Sequence, residues 1–163
     1  MSDFLNYLEK SPYADWVDES WGWPLALTVH ALGMAIVVGL MAIMGLRLFG
    51  AFRTIPYTTL NKFIPLIWTA VLFQTISGFT LWMSKPAQYL GDVMFDTKFA
   101  LVIVASIAMW YFQGVLKREA VAWEASGAVS SRGRNYVAAT CLLWAAVTIG
   151  GRLTAYLGSL YLR

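Results

Sequence analysis

His30 is the single histidine of the chain and stands inside a long apolar stretch, with three methionines following it on the same helical face. At about 100° per residue, Met34, Met41 and Met44 lie about 40°, 20° and 40° from it. Ionisable side chains inside a membrane span are costly and usually face the interior of the protein, so position alone makes His30 a functional candidate. A neutral imidazole among packed helices can bind haem iron, with a methionine or another group opposite. Soft sulphur with imidazole also suits Cu(I), which makes His30, Met34, Met41 and Met44 candidate metal ligands. The same residues can equally fill a packed face, with His30 bonded to a hydroxyl or carbonyl of a neighbouring helix.

Other polar residues bear on this choice. A helical rise of about 1.5 Å per residue puts His30 roughly 10 Å below the outer surface and Gln113 roughly 22 Å below it, so the two cannot ligate one centre. Met109 is somewhat too deep to serve as the opposite ligand. Gln74, Thr75, Ser77 and Thr148 fall at suitable depths for supporting contacts, and equally for hydrogen bonds between helices. Arg152 reaches the outer interface, where it can snorkel or clamp a propionate, a quinone oxygen or another acidic ligand. Gly33, Gly39, Gly45, Gly150 and Gly151 allow close approach of a helix or a flat cofactor. Cys141 has no partner for a disulfide and reads as a small core residue. There is no Gly-rich phosphate loop, no Cys pair and no carboxylate within a span, which argues against transporter or hydrolase chemistry.

The elements that hold these residues are set by apolar runs. With 59% hydrophobic and 13% charged residues, the composition lies outside the range of soluble domains. Crossing a hydrocarbon core takes about 20 apolar residues. Four stretches lack Asp, Glu, Lys and Arg: Trp21 to Leu46, Phe63 to Ser84, Phe99 to Leu116 and Asn135 to Gly151, the last continuing past Arg152 to Leu162. They predict an all-α integral membrane protein: an antiparallel four-helix bundle, one transmembrane domain over 1–163, with helices at about 21–49, 63–84, 98–125 and 135–162, each beside its neighbour in sequence. Residues 1–20 form an outer interfacial segment, with the spacing from Asp3 to Trp16 predicting a short helix lying flat on the surface. Ser20 is the expected cap of the first spanning helix, and Pro24 and Pro65 suit first turns. Pro86 stops the second helix, and the apolar loop after it folds back on the helix ends. The run Ser130-Ser131-Arg132-Gly133-Arg134 is the expected turn before the fourth.

Charge sets the orientation. Arg47, Arg53 and Lys62 follow the first helix without an acid, and Lys117, Arg118, Arg132 and Arg134 outweigh Glu119 and Glu124 between the third and fourth. Both basic segments read as cytoplasmic, which puts the acidic N-terminal tail and the C-terminus on the periplasmic side of a bacterial inner membrane. Trp16, Trp21, Trp23, Trp82, Tyr156 and Tyr161 would form the outer aromatic belt. Lacking a basic start and a cleavage site, the chain is expected to use its first helix as its insertion signal.

The order of motifs resembles a family of uncharacterised bacterial four-helix inner-membrane proteins classified as a domain of unknown function. The resemblance covers nearly the whole chain: Trp23-Pro24 with Leu27, His30 and Leu32-Gly33; Ser77-Gly78 and Ser84-Lys85-Pro86-Ala87-Gln88-Tyr89; Phe95 and Lys98; and Leu143-Trp144 through Gly151-Arg152 to Ala155-Tyr156. Many members carry a histidine where this chain has Gln113. The resemblance implies His30, Lys98 and Arg152 as cofactor-binding positions and supplies no activity. Its wider similarity is to small four-helix b-type cytochromes and to membrane proteins of copper resistance, an analogy of fold. The expectation is therefore a redox-associated subunit that binds haem b or meets quinone near the outer leaflet. The alternatives are a copper-handling protein and a cofactor-free structural subunit. In each case the partners are the bilayer and either further copies of the chain or another membrane or periplasmic subunit.

Overall fold

The computed structural model describes residues 7–90 and 92–161, without the side chains of 87, 88, 94 and 152–161. All regular structure among the described residues is helical: α1 Pro12–Glu19, α2 Gly22–Leu48, a 3₁₀ helix Tyr57–Phe63, α3 Ile64–Ser84, the single turn α4 Pro86–Tyr89, α5 Val93–Ser126 and α6 Ser131–Tyr161. Gly22–Leu48, Tyr57–Ser84 and Phe95–Ser126 are long and apolar enough to cross a membrane, and only 28% of the most apolar window of each is buried within the protein. Large side chains such as Leu25, Leu72, Phe73, Ile107 and Leu142 face outward instead. Such surfaces require lipid or another protein against them.

Several boundaries differ from the sequence expectation, and capping explains the differences. Pro12 opens α1 after Ser11, whose hydroxyl accepts from Ala14 N at 3.2 Å, so the helix expected over Asp3–Trp16 is broken within its described part. Residues 1–6 of that expected helix lie outside the described residues. Ser20 closes α1 by donating to the Trp16 carbonyl, and it meets α2 only through Gly22 N at 3.4 Å. α5 begins at Val93, five residues before the expected start, and Asp96 N returns to the Asp92 carbonyl at 3.0 Å. The turn before α6 is 127–130: Gly127 adopts φ +68°, and Ser130 caps the new helix by accepting from Gly133 N at 3.0 Å. Residues 131–134, expected as turn, are therefore already helical.

Close approach sets the packing. α2 meets α3 antiparallel at Gly33, where an added Cβ would stand 3.1 Å from the Ala70 carbonyl oxygen. α2 meets α6 at Gly45, facing Cys141, whose thiol donates to the Met41 carbonyl at 3.2 Å. α5 and α6 pair antiparallel along their length, with the rings of Tyr111 and Tyr136 stacked 6.3 Å apart. α3 and α5 do not lie side by side as expected of sequence neighbours; they join through side chains, with Trp68 Nε1 donating to Gln113 Oε1 at 2.8 Å. That bond pairs the half-buried indole N–H with the Gln113 amide oxygen and gives Gln113 a packing role.

The core clusters toward one end. Val37, Met41, Met44 and Leu48 of α2 pack with Ile64 and Ile67 of α3, Phe112 and Leu116 of α5 and Val137 of α6. The 3₁₀ helix closes that end from below with Tyr57 and Leu60. There the Arg47 guanidinium, 5% exposed, donates to the Ile55 carbonyl and lies 3.8 Å above the Tyr57 ring. Tyr57 in turn meets Trp123 edge-on at 6.0 Å. The Glu124 carboxylate caps the 3₁₀ helix, accepting from Tyr57 N at 2.6 Å and Thr58 N at 3.4 Å. Gly133 makes room for Trp123, whose ring would stand 2.5 Å from an added Cβ.

Candidate functional site

His30 lies at the opposite end, away from this cluster. On α2, His30, Gly33 and Met34 follow at i, i+3 and i+4, and on α3 Gln74, Ser77 and Gly78 repeat that spacing, so each triplet forms one face. The faces meet. His30 Nδ1 is 3.1 Å from the Gln74 carbonyl oxygen and 3.2 Å from Ser77 Oγ. A carbonyl only accepts, so Nδ1 carries the proton and donates to it, leaving Nε2 as the neutral ring's acceptor. The Gln74 side-chain amide faces that nitrogen at 3.4 Å and reaches Met34 Sδ at 3.8 Å. Gly78 admits the ring, since an added Cβ would stand 3.1 Å from His30 Cε1. Gln74 Oε1 is buried without a hydrogen-bond partner among the described residues and sits 3.2 Å from where a Cβ on Gly33 would be.

This geometry resembles that of a metal-bound histidine in one respect: Nδ1 donating to a carbonyl orients the ring and fixes its tautomer. It departs in another. The Gln74 amide stands 3.4 Å from Nε2, the nitrogen that would face haem iron, and the ring packs against Gly78. The methionine stripe is divided. Met34 stays beside His30, whereas Met41 and Met44 are 1% and 0% exposed in the core, about 16 Å and 21 Å further along the helix axis. The four residues cannot surround one ion. Among the described residues no three His, Cys, Asp or Glu side chains cluster as a metal site.

Lys98 completes this end from α5. Its side chain is half-buried and runs against α6, with Cε and Nζ 3.6 Å from the place of a Cβ on Gly151. It is within electrostatic reach of His30. The next residue of α6 is Arg152, whose side chain lies outside the described residues. His30, Lys98 and the backbone bearing Arg152 thus lie at one end of the molecule. Thr75 and Thr148 are turned to their own helices, donating to the Val71 and Trp144 carbonyls at 2.9 Å. Gln74 and Ser77 are the partners that matter, and their i, i+3 spacing is the signal that marks them.

Above this level α1 folds over the helix ends. Tyr13 Oη donates to Thr80 Oγ1 at 2.9 Å, and Asp18 pairs with Lys85 at 3.6 Å. After α3 the rings of Tyr89 and Phe95 lie 5.3 Å apart, joining the short turn α4 to the first turn of α5. Burial and the carboxylates of Asp18 and Asp92 push the Tyr89 phenol above its ordinary pKa. No family model, curated protein or solved structure matches this chain, so the residue roles rest on geometry alone.

Proposed function

We propose that this chain is a bacterial inner-membrane protein, an antiparallel four-helix bundle crossing the bilayer four times with both termini periplasmic, and that it serves a redox system by holding a quinone at its outer end. Two observations support the orientation. The basic segments 47–62 and 117–134 fold against each other through Tyr57, Trp123 and Glu124, which gathers seven Lys and Arg at one end, as the positive-inside rule requires. Trp16, Trp21, Trp23 and Trp82 gather at the other, where aromatic residues meet an interface.

The ligand assignment is carried by Lys98. Its half-buried ammonium has no carboxylate or hydrogen-bond partner among the described residues, and a half-buried cation near the outer interface favours an oxygen acceptor beside it. Against α6 that ammonium meets only the backbone of Gly151, where an added Cβ would stand 3.6 Å away. A quinone carbonyl meets this need, with Lys98 and Arg152 as donors and the neutral His30 nearby. When bound, a quinone carries electrons and protons, while the chain's own residues bind and orient it and a partner subunit supplies substrate chemistry.

The test is the quinone content of protein extracted from bacterial membranes, by solvent extraction and chromatography, for the native chain and Lys98→Met. Near-stoichiometric quinone falling about tenfold in the variant is expected; a native protein without quinone sinks the reading. Oxidised and dithionite-reduced spectra of the same samples should show no Soret band, and metal analysis no copper. A second reading, a cofactor-free structural subunit, is favoured by the engagement of both His30 nitrogens between α2 and α3. On that reading Lys98→Met changes nothing but stability.

A further inference from the structure

At the basic end, the acids are engaged by donors other than the basic side chains. Glu119 accepts from Trp123 Nε1 at 3.1 Å and from Ser130 Oγ, and Glu124 caps the 3₁₀ helix. Neither makes an ion pair with Lys117, Arg118, Arg132 or Arg134 among the described residues. These cations are exposed and uncompensated at the level of one headgroup plane. Arg118 follows Tyr111 by seven residues and so shares its face of α5. The pairs Tyr111–Tyr136 and Glu119–Ser130 set the α5–α6 register, which brings Arg118 level with Arg132. On α6, Arg132 lies 5.8 Å over the Tyr136 ring, and Arg132, Asn135, Tyr136 and Ala139 line a shallow, mainly apolar groove. Below it the Tyr136 and Tyr111 rings stack, with Trp110 edge-on to Tyr111 at 5.2 Å, and the outward faces of Tyr111 and Trp110 continue toward the membrane interior.

A pair of guanidinium groups above an apolar aromatic wall matches one amphiphile: a phosphate with an acyl chain beneath it. We propose that Arg118 and Arg132, with Asn135 and the tyrosine wall, form a binding site for an anionic phospholipid of the cytoplasmic leaflet. The phosphate sits between the two arginines and an acyl chain runs along the Ala139–Tyr136 groove past Tyr111. The site rests on the membrane-spanning part of the proposed function and is independent of the quinone.

The experiment is native mass spectrometry of protein extracted from membranes, titrated with phosphatidylglycerol or phosphatidylcholine of equal chain length. The variants are Arg118→Ala with Arg132→Ala, Ala139→Trp to fill the groove, and Arg53→Ala as a basic residue elsewhere at that end. The native chain and Arg53→Ala should retain phosphatidylglycerol about tenfold more than phosphatidylcholine; both groove variants should lose that preference while holding phosphatidylcholine as before. Inorganic phosphate at the same concentration should not displace the lipid. Equal retention of the two lipids by the native chain, a preference that survives both groove variants, or displacement by phosphate alone overturns the assignment. A chain absent from the membrane fraction fails earlier and overturns the spanning reading instead.

Discussion

The two ends of the molecule hold their polar groups in opposite ways. At the end that carries the 3₁₀ helix three polar groups are matched within the protein: Arg47 by a carbonyl and a ring, Glu124 by two backbone amides, Glu119 by an indole and a hydroxyl. At the opposite end His30 is held by bonds of 3.1 Å and longer, Gln74 Oε1 has no partner among the described residues, and Lys98 lies against bare glycine. A buried polar group costs free energy until it is paired, so these contacts at the first end add stability, while the second end leaves polar groups with unused bonding capacity.

That contrast predicts a graded response to mutation in detergent denaturation. Phe112→Ala, at a fully buried position of the core at the first end, should cost about 4 kcal/mol by leaving a cavity. Arg47→Ala should cost about 3 kcal/mol, because a charged hydrogen bond and a cation–π interaction disappear together. By contrast, His30→Ala should cost about 1 kcal/mol, the ordinary worth of hydrogen bonds between membrane helices. A His30→Ala loss equal to that of Arg47→Ala would falsify the division between the ends.

The smallest effect concerns pH. The raised Tyr89 phenol favours the neutral form in the folded state, so its contribution is complete below the ordinary tyrosine value of about 10 and fades as pH rises through the folded value. Melting curves of the native chain and Tyr89→Phe should therefore converge as the solution is made more alkaline, the native chain losing more. Parallel loss in both would assign the alkaline slope to other groups.

Much of the helical layout was legible because apolarity is a local property: the runs Trp21–Leu46 and Phe63–Ser84 fall within or just around α2 and α3. Boundaries were less legible, since a single serine moved α6 four residues toward the N-terminus. Both are short-range effects, and Ser130 three residues before Gly133 is visible once the cap is sought. The clasp of Arg47, Tyr57, Trp123 and Glu124 was not legible. Its partners stand 67 residues apart between Tyr57 and Glu124, and no periodicity within either segment points to the other. At the His30 end the single histidine announced itself, whereas the stripe of methionines misled: shared angle on a helix says nothing of distance along it, and Met41 and Met44 belong to the core.

The cap that Glu124 places on Tyr57 also orders events in time. When the 3₁₀ helix first leaves the ribosome, its closing carboxylate is 67 residues away in chain that has not been made. At roughly 5 to 20 residues per second, translation delivers it on the order of several seconds later. Until then the hairpin of α2 and α3 can form but its hinge stays open, and the arrival of the end of α5 is the event that shuts it.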